Sequence, residues 1–510
     1  MLNLLGVVIG LGFVLLVKGI AARARRTPHR LRLPPGPKGL PLLGNIFQLP
    51  QSVPWEAYDK LCKEYGDIIY VKALGQGIII LGSQKRTVDL LDKKAVNFSD
   101  RPVLPMNDMM DLNWAFGAMP YGAAWRQNRR AFHQYLNNNA VPKYHPIMIE
   151  EIKSFLRKLK SDPEQVFDHL QFLFGTAIMR TAYGFDDIRQ NQELIHIAEA
   201  LILEFTEASM PGRYLVNYFP TLRYVPSWFP GAGFKKQFKK IAQMSFKSLY
   251  PPFEEAKRDV EDGRKSSYPS MAHSLIDRLP EESDSSRAGL EGIARSVCAV
   301  AYLAGAETTV SSATALLYVL ASYPEVQTKA QAEIDAVIGT DRLPLVTDRG
   351  ELPYVHAIVK EVSRWYTVVP LGLAHSNTED EEYDGYFIPK GTIVFQNNWA
   401  IMHNPDVFNQ PFEFIPERYL KDGKIDTSVP DPDIAAFGHG RRICPGRHFS
   451  NDALFLLAAS LLATYSIAAP KDREGNVIPM KLELRNPAIS KPLPFKCEIR
   501  LRPGREHLLQ

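Results

Sequence analysis

The chain has 510 residues, of which 45% are hydrophobic, an ordinary globular composition with enough apolar matter for a sizeable core. A formal net charge of +4 is small for this length and argues against a nucleic-acid partner. The four cysteines, Cys62, Cys298, Cys444 and Cys497, are spaced too widely for a zinc pattern or a disulfide framework and suit a reducing, cytosol-facing location.

The first element is an uncharged apolar run, Leu2 to Val17, followed by Lys18 and then by Arg23, Arg25, Arg26, Arg30 and Arg32. Lys18 can snorkel, so residues 1–22 are just long enough for a membrane anchor. A cleaved signal peptide would carry its basic residues before the apolar run. Arginines after the run leave the N-terminus luminal and the remaining chain cytosolic. Residues 23–45 are basic and proline-rich, with Leu33-Pro34-Pro35-Gly36-Pro37 as a stiff connector, and 46–510 read as one large domain. Tyr58, Leu61, Cys62 and Tyr65 share a helical face. Ile68 to Val71 and Ile78 to Leu81, separated by glycines, predict a hairpin. Asn97-Phe98-Ser99 matches a glycosylation sequon, a pattern common by chance.

A proline- and methionine-rich loop is expected from Arg101 to Tyr121. A basic helix then opens at Trp125, with Trp125 and Arg129 on one face at i,i+4. Residues 145–210 predict successive amphipathic helices. Pro211 to Phe234 concentrates aromatic residues among prolines and is followed by Lys235, Lys236, Lys239 and Lys240. That pattern suits a membrane interface and equally an aromatic core loop. The charged stretches Glu254 to Lys265 and Glu281 to Arg287 read as solvated connectors.

Gly292 to Ser322 predicts one long helix centred on Ala304-Gly305-Ala306-Glu307-Thr308-Thr309. A carboxyl inside an apolar helix is costly without a partner or water. Gly305 weakens the helix and leaves room for a flat group to approach. Glu361 and Arg364 form an i,i+3 pair whose apolar neighbours imply burial, where loss of one partner is costly. Leu371 to His375 predicts a strand, and Pro416-Glu417-Arg418-Tyr419 supplies another arginine. No internal repeat is present.

The last motif is Phe437-Gly438-His439-Gly440-Arg441-Arg442-Ile443-Cys444-Pro445-Gly446, before the apolar run Ala453 to Leu462. Gly438 and Gly440 permit positive φ or a close backbone approach. Pro445 suits a first helical turn, which places Cys444 at a helix N-terminus where free N–H groups favour a thiolate. Such a thiolate is a metal ligand that its loop can tune. Alone, the motif also fits a buried structural cysteine ahead of a core helix.

Together these segments resemble the cytochrome P450 family. Phe437, Gly440, Arg442, Cys444 and Gly446 match every fixed position of its haem-thiolate signature, and the other motifs follow in family order. The resemblance implies a mainly α fold with a smaller β subdomain, preceded by one transmembrane helix. It implies haem b with Cys444 as the iron ligand, in a loop that includes Phe437, Gly438 and Gly446. Arg442, Trp125, Arg129, His375 and Arg101 would meet the propionates. Thr308 and Glu307 would deliver protons to oxygen, and Glu361, Arg364 and Arg418 would form the scaffold network. Substrate contacts would include Ala301, Tyr302, Ala304, Val369 and Leu371, with a lid near Phe205 to Pro211.

Segments such as Ser363-Arg364-Trp365 and Gly385-Tyr386-Phe387-Ile388-Pro389 resemble the fungal group containing O-methylsterigmatocystin oxidoreductase. The implied reaction inserts one atom of O2 into a lipophilic small molecule, with electrons from NADPH through a separate cytochrome P450 reductase and cytochrome b5 as a second candidate donor. The implied site of action is the endoplasmic reticulum membrane, in terpenoid-type secondary metabolism. The alternatives are detoxification of foreign aromatics, and a haem-thiolate isomerase or dehydratase that uses no NADPH.

Overall fold

The structure is a computed structural model describing residues 31–264, 266–485 and 489–510, with the side chains of 188–190 left aside. The expected anchor, residues 1–22, and the first part of the hinge lie outside the described residues. The hinge segment from Arg32 onward is not a free connector. The Tyr70 N–H donates to the Pro35 carbonyl at 2.8 Å, and Arg32 pairs with Tyr386. A Cβ at Gly36 would collide with the Tyr70 carbonyl, so this glycine is what lets the hinge lie flat on the sheet.

Helix α1 (Pro54–Tyr65) buries Tyr58 and Cys62 on its inner face and leads into the predicted hairpin, β1 (Ile68–Ala73) and β2 (Gln76–Leu81). Two later strands complete a four-stranded sheet. These are β3 (His375–Ser376) and β4 (Ile393–Gln396), in the order β1-β2-β4-β3 with β2 and β4 parallel. Strand alternation gives the sheet two apolar faces. Ile69, Val71, Ile78 and Ile80 pack with Trp55 and Tyr58, while Ile68, Ile79 and Leu81 pack with Leu90 and Phe98. The sheet therefore fixes His375 beside the Phe98 segment, some 280 residues earlier in the chain.

The larger part is helical. Its principal helices are α2 (Ala123–Leu136), α3 (His145–Ser161), α4 (Val166–Tyr183), α5 (Ile188–Ala208), α6 (Phe234–Leu249), α7 (Arg287–Ser322), α8 (Pro324–Val337), α9 (Pro353–Trp365) and α10 (Arg447–Thr464). One continuous core joins them. At 1.5 Å per residue α7 is roughly 54 Å long. Among the described residues it is the single helix long and apolar enough to cross a membrane, yet most of it lies inside this core. Helix α4 is likewise buried on nearly every side, so the expectation of an amphipathic helix there is corrected. Its partners on both flanks are other helices, which removes the need for a polar face.

Glycines set the closest approaches. A Cβ at Gly305 of α7 would stand 2.8 Å from Ile178 Cγ1 on α4. The room at Gly305 is thus taken by a neighbouring helix and is not open to a flat group, a correction to the reading from sequence. The Pro211 to Phe234 segment forms two short turns, Leu215–Asn217 and Pro220–Tyr224. It divides between the two readings: Phe219 is buried, while Tyr224 and Trp228 are 79% and 78% exposed. After α10 the chain closes with β5 (Tyr465–Ala468), a hairpin of β6 (Leu484–Arg485) and β7 (Lys491–Pro492), and β8 (Glu498–Leu501), which pairs with β5.

Candidate active site

The cysteine loop is closed by its own backbone. The Cys444 N–H donates to the Phe437 carbonyl at 2.7 Å, and a single 3-10 turn, Gly440–Arg442, lies between them. Gly438 and Gly440 both have positive φ, at 76° and 56°. At Gly440 any side chain would also strike the Leu91 carbonyl. Gly446, with φ −92°, needs no such freedom and serves as the N-cap of α10. Pro445 falls just outside the helix, not in its first turn as expected. Burial pushes the Cys444 thiol up. The Gly446 N–H, the Arg129 and Arg447 guanidinium groups and the Arg447 N–H pull it back without fully offsetting that cost. The N–H groups at the start of α10 thus act in the direction expected for a helix N-terminus, against the cost of burial.

Cations gather around this loop. Arg442 is buried, and its guanidinium donates to the carbonyls of Ser99 and Met119, both at 2.7 Å. The same group lies 4.3 Å from the Trp125 ring centroid, the geometry of a cation–π contact. Trp125 is buried on α2, and Arg129, one turn on, is half-buried close enough to act on Cys444. Arg101 is buried and donates to the carbonyls of Gly117, Leu373 and Ala374. His375 on β3 holds the Phe98 carbonyl through Nδ1 at 2.8 Å; burial and the nearby Arg101 keep it well below its ordinary value, hence neutral. Burial and Arg442 bring Arg101 itself down to about 9. Among the described residues no carboxylate pairs with Arg101, Arg129 or Arg442 within 4.0 Å. Arg101 and Arg442 bond neutral carbonyls, and Asp100 is the one carboxylate that acts on both, so three cations outnumber it and the cluster has a surplus of positive charge.

Helix α7 crosses the loop's helix where Thr309 Oγ1 meets Ser450 Oγ of α10 at 3.2 Å. Through the middle of α7, Val300, Ala304, Thr308 and Ser312 form an accessible stripe at i,i+4. Thr308 Oγ1 donates to the Ala304 carbonyl at 2.9 Å. Ala301 and Tyr302, expected in the substrate pocket, are off this stripe and buried in the core. Tyr302 packs edge-on to Tyr183 of α4, with ring centroids 6.5 Å apart. These two expectations are corrected, since 100° per residue turns them towards α4. Val300 and Ser312 are the stripe residues that reading from sequence missed, although i,i+4 steps from Ala304 and Thr308 point to them.

Leu371 is also corrected. It is buried in the sheet cluster with Trp55 and Ile78. Gly372, at φ 60°, breaks the alternation there, and Leu373 is instead exposed. Val369 is half-buried, its carbonyl accepting from Asn398 Nδ2 at 3.1 Å.

Glu307 has the partner that its burial demands. Lys491 Nζ of β7 lies 3.1 Å from Glu307 Oε2. Burial pushes the Glu307 carboxyl up and Lys491 draws it down, with a net upward direction. Nothing in the local sequence signals Lys491, because the contact spans 184 positions. Behind the site, Glu361 and Arg364 of α9 are fully buried and bonded in a bidentate pair, and Arg418 Nε reaches Glu361 Oε1 at 3.1 Å.

A family profile described as cytochrome P450 matches residues 34–495. Among curated proteins, cytochrome P450 monooxygenase COX1 of Coprinopsis cinerea is 54% identical over 489 residues, covering 95% of this chain and 94% of the relative. Cytochrome P450 monooxygenase COX2 of the same fungus is 43% identical, covering 92% and 89%. The eriA monooxygenase of Hericium erinaceus is 37% identical, covering 98% and 93%. These matches extend over sheet, helical core and cysteine loop alike, and the chain belongs to the cytochrome P450 family, as a haem-thiolate monooxygenase of fungal type.

Proposed function

We propose that this monooxygenase oxidises a lipophilic small molecule, of terpenoid type, in fungal secondary metabolism. Cys444 is the proposed iron ligand of haem b. The observation that carries this assignment is the surplus of cations about the cysteine loop. Arg101, Arg129 and Arg442 bring positive charge to a partly buried site without carboxylate partners, which fits the two propionates of the cofactor. Neutral His375 and the Trp125 indole would complete that rim. When bound, haem with a thiolate ligand supplies the activation of O2, because the thiolate pushes electron density towards O–O cleavage.

The chain's own residues then have separable tasks. Ala304 leaves space on α7, and Val300 presents an apolar wall to substrate. Thr308 Oγ1 holds a proton at the accessible edge of the helix, and the Glu307 carboxylate replenishes it, as a positioned acid–base pair. Glu361, Arg364 and Arg418 keep the surrounding segments in register. At the surface beside the cysteine loop, Arg126 and Arg441 flank the Tyr121 ring at 5.6 and 5.2 Å, and Arg130 of the same helix as Arg126 is exposed. This basic face would steer an acidic flavin domain of NADPH–cytochrome P450 reductase through association rate. The exposed Tyr224 and Trp228, near the lysines that open α6, support an interfacial placement on the endoplasmic reticulum membrane beside the proposed anchor.

The test is co-expression with a reductase in a metabolite-rich host, followed by product analysis. A product one oxygen atom richer than its precursor, formed only with NADPH, is expected. Conversion without NADPH use would replace this reading with the isomerase or dehydratase alternative.

A further inference from the structure

Lys491 lies between two carboxylates carried by two different helices. Its Nζ is 3.1 Å from Glu307 Oε2 on α7 and 2.6 Å from Glu199 Oε1 on α5. The other Glu199 oxygen accepts from Gln171 Nε2 of α4 at 2.6 Å. Glu307 is almost wholly enclosed, whereas the Lys491 and Glu199 side chains keep 29% and 33% exposure. The charges therefore form a line from the buried neighbour of Thr308 to solvent.

We propose that Lys491 is a positioning residue for proton delivery, aiming the Glu307 carboxylate beside Thr308. The proposal rests on the acid–base reading of Glu307 given above. Without an anchor a buried glutamate has several rotamers and a strong tendency to stay neutral. A single ammonium bonded to both its oxygens, at 3.3 and 3.1 Å, removes that freedom. Burial works to lower Lys491, but Glu307 and Glu199 outweigh it and raise the lysine, so the ammonium persists. Burial likewise works to raise Glu199, and Lys491 and Gln171 bring it down. The other titratable group that acts on this line is His196 of α5, beside Glu199.

The experiment compares Lys491→Met, Lys491→Arg and Glu307→Gln in the haem-loaded, full-length enzyme with its reductase. Three quantities are read: product and hydrogen peroxide per NADPH, the pH profile of that coupling, and the infrared band of a protonated carboxyl that Glu307→Gln removes. Lys491→Met is expected to lower product per NADPH several-fold, to move the coupling profile to higher pH and to strengthen the infrared band near neutral pH. Lys491→Arg is expected to restore all three towards wild type, which a merely structural defect in Lys491→Met would not predict. If Glu307→Gln uncouples the enzyme while Lys491→Met leaves coupling, profile and band unchanged, the proposal is overturned. If Glu307→Gln itself stays fully coupled, the acid–base reading of Glu307 falls first and takes the proposal with it.

Discussion

Arg364 meets Glu361 through two parallel hydrogen bonds, Nε to Oε2 and Nη2 to Oε1, both at 2.7 Å, with neither side chain exposed to solvent. The same guanidinium donates to the carbonyls of Met402, Pro411 and Glu413, so one residue of α9 gathers a stretch that lacks regular structure. Arg418 adds a second bond to Glu361 Oε1 and reaches the Asn409 and Gln410 carbonyls. The pair acts less as an isolated attraction than as the hub that satisfies buried backbone carbonyls.

Removing one member leaves the other charged and buried. Arg364→Ala or Glu361→Gln is therefore expected to cost about 3–5 kcal/mol, the usual range for a broken buried pair. Arg418→Ala, nearer the surface, is expected to cost less. Urea unfolding of the three variants, read with haem content, checks the order. Equal, small losses in all three would show that the hub does not carry the segment.

At Gly305 two small effects oppose each other. Alanine is favoured over glycine in a helix by about 1 kcal/mol. Overpacking against Ile178, 2.8 Å from the added Cβ, costs about 1–3 kcal/mol. Gly305→Ala is therefore expected to be destabilising by roughly 1 kcal/mol net. Ile178→Ala removes the atom that the added Cβ meets, so the double variant should lose less than the sum of the two single losses, a non-additivity of at least about 0.5 kcal/mol. Strict additivity of the two changes would remove the helix-packing explanation.

Thr308→Ala deletes one small polar group from the accessible stripe. Fold, haem content and carbon monoxide spectrum should stay near wild type. Product formation should fall by up to about 10²-fold, with hydrogen peroxide rising in its place, because a positioned proton donor is lost. Cys444→Ser should instead abolish the thiolate-type carbon monoxide band. Unchanged product per NADPH in Thr308→Ala would take Thr308 out of the mechanism.

A buried histidine, His403, and a half-buried one, His356, set an acid limit on the fold. Burial, chiefly, pushes both His356 and His403 down to about 4. An unfolded histidine titrates near ~6.5. Between those values the unfolded chain binds protons that the folded chain refuses, so stability is full above about 6.5 and falls as pH drops towards 4. The urea midpoint should be lower at about pH 5.5 than at about pH 7.5, and His403→Gln should flatten the difference. A midpoint independent of pH across that window would refute the assignment.

The hairpin, the long helix and the Glu361–Arg364 pair were legible in the chain because each depends on neighbours within a few positions. Period-two alternation, a continuous apolar run and an i,i+3 spacing are local signals. The cysteine loop was legible for the same reason: its glycines, arginine and cysteine stand within ten residues. The pocket-facing assignments at Tyr302 and Leu371 failed because facing is not local. Tyr302 turns to Tyr183 since α4 lies on that side of α7, and Gly372 reverses the alternation that placed Leu371.

By itself the sequence determined the chemistry on offer: a cysteine in a glycine-bent loop, an acid beside a threonine in an apolar helix, and the elements that carry them. Only the tertiary structure decided which groups meet. It brought Arg101 to His375 and Arg442, both more than 250 positions further along the chain, seated Gly305 against Ile178, and gave Glu307 its counter-charge in Lys491. The physical reason is that burial makes a partner obligatory for a charged group without saying where in the chain that partner must come from.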